Sequence, residues 1–134
     1  MDLRAHRRIS GACFDAALKN IDELTVMGTR HPTRDGTTIR DFVHVVDLVE
    51  AHIAVAEKNK FDNPPSLYNA GTGSGVSMRE FMETCKKVTR ADMKIHYRAE
   101  PRPGDYAEVY ANVDKIKHNT SLGGRQSTQI CTRA

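Results

Sequence analysis

Asp35-Gly36-Thr37-Thr38-Ile39-Arg40-Asp41-Phe42-Val43-His44-Val45-Val46-Asp47-Leu48 packs a turn, an extended segment and a helix start into one short run. Asp35-Gly36 is a turn signal of the kind that joins hairpin strands. Ile39 to Val45 is rich in β-branched residues and is expected to be extended. Asp47 is placed as an N-cap, its carboxylate accepting from the orphan amides of the next turn. Leu48 to Lys58 should follow as a helix with Leu48, Val49, His52, Ile53 and Ala56 on one side. Arg40 is a permanent cation on this frame. A lone arginine in a β-rich segment is ordinarily a surface ion-pair partner. Two such arginines on rigid backbone would suit a diphosphate, because planar guanidinium forks match phosphate oxygens and stay charged. Arg102-Pro103-Gly104-Asp105 offers a second arginine, although those four residues alone are simply a good turn.

Working outward, Ile9 to Leu18 is dense in apolar and small residues and should form a mostly buried helix. Glu23 to Met27 is a short strand ending at Gly28. Asn63-Pro64-Pro65 ends the Leu48 helix, and Ser66 to Ala70 is expected to be a strand. Gly71-Thr72-Gly73-Ser74-Gly75 is a flexible turn. Its glycine spacing is wrong for a dinucleotide loop, and no βαβ unit with a following acid surrounds it. Ser77-Met78-Arg79-Glu80 has the form of a capping box, and Phe81, Met82, Cys85 and Val88 continue it as a helical stripe. Met93 to Tyr97 alternates like a strand. Ala99 to Gly104 is a loop, and Asn112 can cap a last helix ending near His118. The domain therefore spans 1–118, with 119–134 as an irregular tail lacking amphipathic period.

Composition narrows the function. At 134 residues the chain holds at most one domain. A net charge of +3, from 20 basic and 17 acidic residues, is too small and too scattered for a nucleic-acid face. No apolar run follows Arg4, Arg7 and Arg8, so neither a signal peptide nor a membrane segment is expected. Cys13 and Cys85 suit buried thiols, Cys131 lies in the polar tail, and no spacing of Cys or His suggests a metal. His44 and His52 have no catalytic partner in the pattern and are expected to pack or to bond their own loops. Asp41 and Asp47 have local structural jobs.

Three strings in order carry a resemblance. Gly36 to Leu48 is similar to the G-T-x-x-R-D-Y-I-H-V-x-D-L of the UDP-sugar 4-epimerases, in the extended short-chain dehydrogenase/reductase superfamily. Leu67-Tyr68-Asn69-Ala70-Gly71-Thr72-Gly73 resembles their Y-N-x-G-T-G. Arg102 to Asp105, with Ala107 to Ala111, resembles their R-P-G-D-x-A-x-x-Y-A. Arg7 to Ala17 looks more like the plant UDP-arabinose 4-epimerases than the UDP-glucose enzymes. The resemblance covers roughly Ile9 to Leu122. It implies an α/β fold: the substrate-binding lobe of such an enzyme, short strands with packed helices, without the N-terminal Rossmann lobe. It implies UDP as the group held, with Arg40 and Arg102 on the diphosphate, Asp105 on the ribose, and the strand Thr25-Val26-Met27 flanking the uracil through its backbone.

It further implies an NAD-dependent isomerase of nucleotide-sugar metabolism. NAD⁺ would take the hydride from the sugar's 4-hydroxyl carbon and return it to the other face. No Gly-x-Gly-x-x-Gly and no Tyr-x-x-x-Lys stands in this sequence. The expectation is therefore no catalytic, cofactor-binding or metal-binding residue here, a chain inactive alone, and truncation at both ends. Possible homodimers and a cytoplasmic or Golgi location come from the family only. A UDP-glucose 4-epimerase, a UDP-glucuronate epimerase or decarboxylase, and a non-catalytic UDP-sugar-binding or subunit-pairing fragment are the alternatives. Pro101 replaces an arginine common in the family, and Phe42 replaces a common tyrosine. After Lys117 the family pattern fades.

Overall fold

The β-branched and apolar residues of Glu23–Met27 alternate between buried and open positions, as a strand lying on a helix layer must. This strand, β1, follows helix α1 (Ile9–Ala17) and is followed by β2 (Ile39–Arg40), α2 (Val45–Asn59), β3 (Val76–Ser77), α3 (Met78–Thr89), β4 (Lys94–Arg98), β5 (Glu108–Val109) and α4 (Asp114–Asn119). These elements come from a computed structural model that describes residues 8–59, 67–120 and 122. The residues cluster into two compact units. One takes the chain up to Thr38 together with Ser77–Ala107; the other takes Ile39–Val76 together with the chain from Glu108 onward.

In the first unit β1 and β4 pair in parallel, with Val26 opposite Tyr97 and Met27 opposite Arg98. Cys13 and Ala16 of α1, Leu24 and Val26 of β1, and Phe81 and Met82 of α3 are buried, and the Cys13 thiol lies 3.4 Å from the Met82 sulfur. The capping box at α3 is complete. The Ser77 hydroxyl accepts from the Glu80 amide at 3.1 Å, and the Glu80 carboxylate accepts from the Ser77 amide at 2.9 Å. Asp35 extends it: its carboxylate takes the Thr37 amide at 2.9 Å, the Thr37 hydroxyl at 2.7 Å and the Ser77 hydroxyl. Arg34 grips Glu80 with two prongs, which holds that carboxyl below its ordinary range.

In the second unit β2 pairs in parallel with β5, Ile39 opposite Glu108 and Arg40 opposite Val109. Ala51, Val113 and Ile116 form its core, with Val55, Tyr68, Ala111 and Leu122 packed on them.

Several expectations change. Asp35-Gly36 is a turn but joins no hairpin, because β1 finds its partner far along the chain in β4. The extended run stops at Arg40, and the next helix begins at Val45, not Leu48. The His44 ring accepts from the Val46 amide at 3.2 Å, so the histidine rather than Asp47 serves that helix end; Asp47 sits within the first turn. On α2 the apolar stripe Val49, His52, Ile53 and Ala56 is exposed, whereas the alanines Ala51 and Ala54 are buried. Ala51 packs with Val113 and Ile116, so the small residues of α2 and not the wider stripe face the core. Leu67–Ala70 forms no strand, since no described segment pairs alongside it; Ser66 lies outside the described residues. Helix α1 is less buried than expected: Phe14 is 60% and Leu18 71% exposed. Cys85 is half-buried, and Cys131 lies outside the described residues, as does most of the tail. His52 bonds the Leu48 carbonyl oxygen at 2.7 Å, a local contact of the kind expected.

Candidate functional site

The three strings that carried the resemblance are stitched together by one carboxylate. Asp41 accepts from the Thr72 amide at 2.9 Å, from the Thr72 hydroxyl at 2.6 Å and from the Ala111 amide at 3.1 Å. Burial pushes the Asp41 carboxyl up, but the bonds from Thr72, Ala111 and Gly73 more than reverse this and hold it below its ordinary value. The job expected of Asp41 as a local one is thus long-range. It joins the Arg-Asp segment to the Gly-Thr-Gly turn and to the segment after β5.

That clamp fixes the backbone next to Arg40. The Arg40 guanidinium donates to the Ile39 carbonyl oxygen at 2.8 Å, and its side chain lines a cleft of about 630 Å³ within the second unit. Asp41, Tyr68, Asn69, Tyr110 and Asn112 line it too. Lys115 lies beside Tyr68, donating to the Leu67 carbonyl oxygen at 2.6 Å with its ammonium 5.3 Å from the Tyr68 ring centre.

The other expected residues lie in the first unit. Thr25 and Met27 are half-buried and Val26 is buried; among the described residues β4 is the strand neighbour of β1. The strand leads into Gly28, whose amide donates to the Glu100 carbonyl oxygen at 2.9 Å. Two residues on, Arg102 to Asp105 form a tight turn closed by the Asp105 amide on the Arg102 carbonyl oxygen at 3.1 Å. Pro103 presets the first corner and Gly104 supplies φ +83° at the second, the pattern of a type II turn. Arg102 and Asp105 are both exposed. The first unit therefore brings the end of β1 and the Arg102–Asp105 turn together, while Arg40 stands in the second unit.

In the glycine-rich turn before α3 the Thr72 amide is taken up by Asp41 and the Ser74 amide by the Thr72 hydroxyl at 3.2 Å. Among the described residues no group of three or more His, Cys, Asp or Glu could hold a metal ion, and no helix is long and apolar enough to cross a membrane.

Comparison with known proteins agrees with the motifs. The model of the NAD dependent epimerase/dehydratase family matches residues 4–71, half of the chain. The chain belongs to that family. As an epimerase-family chain it is 53% identical, over 121 residues, to "Probable UDP-arabinose 4-epimerase 3" of Oryza sativa subsp. japonica. That match takes in 90% of this chain and 29% of the rice protein, so the chain spans less than a third of that relative's length. Among solved structures, the UDP-Glc/GlcNAc 4-epimerase of Campylobacter jejuni is 33% identical with a TM-score of 0.79, covering 90% of this chain and 38% of the other. The UDP-glucose 4-epimerase of Bifidobacterium longum, in complex with NAD⁺ and UDP, is 32% identical with a TM-score of 0.74, over 84% of this chain and 33% of the other. The α/β arrangement of short strands and packed helices is thus that of part of an extended short-chain dehydrogenase/reductase epimerase. Sequence reasoning placed Tyr68, Asn69 and Tyr110 in family motifs and Asn112 at a helix cap but gave none of them a place in the cleft, because only folding brings them beside Arg40.

Proposed function

We propose that this chain is the UDP-gripping part of an NAD-dependent UDP-sugar 4-epimerase of the UDP-arabinose/UDP-xylose type. The observation that carries the reading is the joining of the β1 end to the Arg102–Asp105 turn through the Gly28–Glu100 bond. It puts the end of β1 next to the turn that carries Arg102 and Asp105, which supports a reading in which the strand meets a base, the guanidinium a phosphate and the carboxylate a ribose. Arg40 and Arg102 hold the diphosphate, Asp105 accepts from the ribose hydroxyls, and the backbone of Thr25, Val26 and Met27 meets the uracil. Rigid guanidinium forks neutralise two phosphates without titrating near neutral pH, which leaves the sugar end free to turn. The arabinose assignment rests on the 53% identity to a relative named for that sugar.

The sequence holds no Tyr-x-x-x-Lys and no Gly-x-Gly-x-x-Gly, so in this reading the chain by itself binds without reacting. Calorimetric titration with UDP should show weak one-to-one binding, and uridine should bind more weakly still, because it lacks the diphosphate. The same preparation, supplied with NAD⁺, should not interconvert UDP-arabinose and UDP-xylose. Turnover above background would overturn this assignment of roles, and equal binding of uridine and UDP would remove the arginines from it.

A further inference from the structure

His31 has a place in the first unit that the assignment above does not use. Its backbone is held on both sides, its amide donating to the Gly36 carbonyl oxygen at 2.9 Å and its carbonyl oxygen accepting from the Thr33 amide at 2.8 Å. Its ring lies over Gly28, at the end of β1. A Cβ on Gly28 would stand 2.6 Å from the ring nitrogen Nε2 and 3.3 Å from the Cα of Pro101. The imidazole and the residue just before Arg102 thus border the same small space, one that exists only because position 28 has no side chain. Gly28 also has φ +77°, a conformation a side chain there would strain.

Nε2 is buried and has no hydrogen-bond partner among the described residues. A polar atom left so is unfavourable by about 1–3 kcal/mol, so within the described residues the ring end gains nothing from bonding. What remains is its shape. A flat ring fills the space over Gly28 and limits how far the Pro101–Arg102 segment can settle towards β1. Interiors tolerate such volume changes poorly: neighbours shift part of the way into the gap and the remainder stays as a cavity.

We propose that His31 is a positioning residue for nucleotide binding: its ring is a spacer between the β1 end and the Pro101–Arg102 segment, and it sets where the Arg102 guanidinium meets the diphosphate. The inference rests on the UDP-binding reading. It makes the ring's volume, and not its nitrogen, the property that matters. Loss of the ring lets Pro101 shift, and a guanidinium displaced by even a fraction of an ångström gives up one prong of a two-pronged contact.

The test is a double-mutant cycle on UDP affinity with the full chain, read by calorimetry. His31→Ala should weaken UDP binding about tenfold, whereas His31→Phe should stay within about twofold of wild type. In an Arg102→Ala background, His31→Ala should change the affinity by less than about twofold, because the contact it positions is already gone. Urea melts accompany each variant, and His31→Asn replaces the alanine in the same cycle if that variant does not fold. Unchanged affinity in His31→Ala overturns the spacer while leaving the UDP reading intact. Equal loss in His31→Phe and His31→Ala overturns it as well, since that would place the nitrogen on the ligand. Additive losses with Arg102→Ala also overturn it. If wild type itself binds no UDP, the spacer and the reading it rests on fail together.

Discussion

Asp41→Ala should destabilise the second unit by about 3 kcal/mol, measured as the shift of the urea midpoint at constant slope. Three donors converge on this one carboxylate, two of them backbone amides that sit far apart in sequence. Each bond to a charged acceptor contributes roughly 1.5–3 kcal/mol, but the three share one site and will not add fully. Asp41→Asn keeps one oxygen for Thr72 but turns donors towards the Ala111 amide, so it should recover only about half of the loss. The two variants also carry a pH signature. The folded-state pKa of Asp41 is displaced downward, so the unfolded chain binds the proton more tightly. Its contribution is complete above the unfolded value, roughly 4, and disappears as pH falls through the lower folded value. Asp35 behaves alike: burial raises its carboxyl, but the bonds from Ser77 and Thr37 together outweigh this. Wild type should therefore lose stability on acidification below about pH 4, and Asp41→Asn should lose measurably less over that window. Equal acid sensitivity in the two proteins would remove Asp41 from the clamp.

Arg40→Ala and Arg102→Ala should each weaken UDP binding tenfold to a hundredfold. A charge-assisted bond between guanidinium and phosphate contributes roughly 1.5–3 kcal/mol, which converts to about that range. Lysine at either position should restore only part, since an ammonium is a point charge and cannot place two parallel N–H groups. Arg90 is the control. It stands at the left-handed end of α3 with φ 52°, outside the three motifs, and its replacement by alanine should leave UDP affinity within about twofold. Calorimetry on wild type and the substituted proteins separates the outcomes. Equal binding by wild type and both motif variants would make Arg40 and Arg102 ordinary surface residues.

What could be foreseen follows from how local each cause is. Glu23–Met27 and the Ser77–Glu80 capping box were legible because alternation and caps are written in adjacent residues. The Arg102–Asp105 turn was legible for the same reason, its Pro-Gly centre fixing both corners. The face of α2 was not, because which side is buried depends on Val113 and Ile116, more than fifty residues away. Leu67–Ala70 has the composition of a strand, but a strand is defined by a neighbour, and none of the described segments supplies one. His44 beat Asp47 to the helix end because a ring nitrogen can accept as a carboxylate does, a possibility composition does not rank. On the site side, sequence singled out Arg40 but not the company that Tyr68, Asn69 and Asn112 keep with it. Nor did it reveal that Asp41 ties all three family motifs together, since that depends on contacts across 31 and 70 positions.

The central claim is that UDP is held by named residues of this chain, and amide chemical-shift mapping tests it most directly. Adding UDP to the isotope-labelled chain should move the backbone amides of Thr25, Val26, Met27, Arg40, Arg102, Gly104 and Asp105, saturating together with one dissociation constant. The outer face of α3, including Lys86 and Lys87, should stay unmoved. No shifts at saturating UDP, or shifts confined to residues outside that set, would contradict the account.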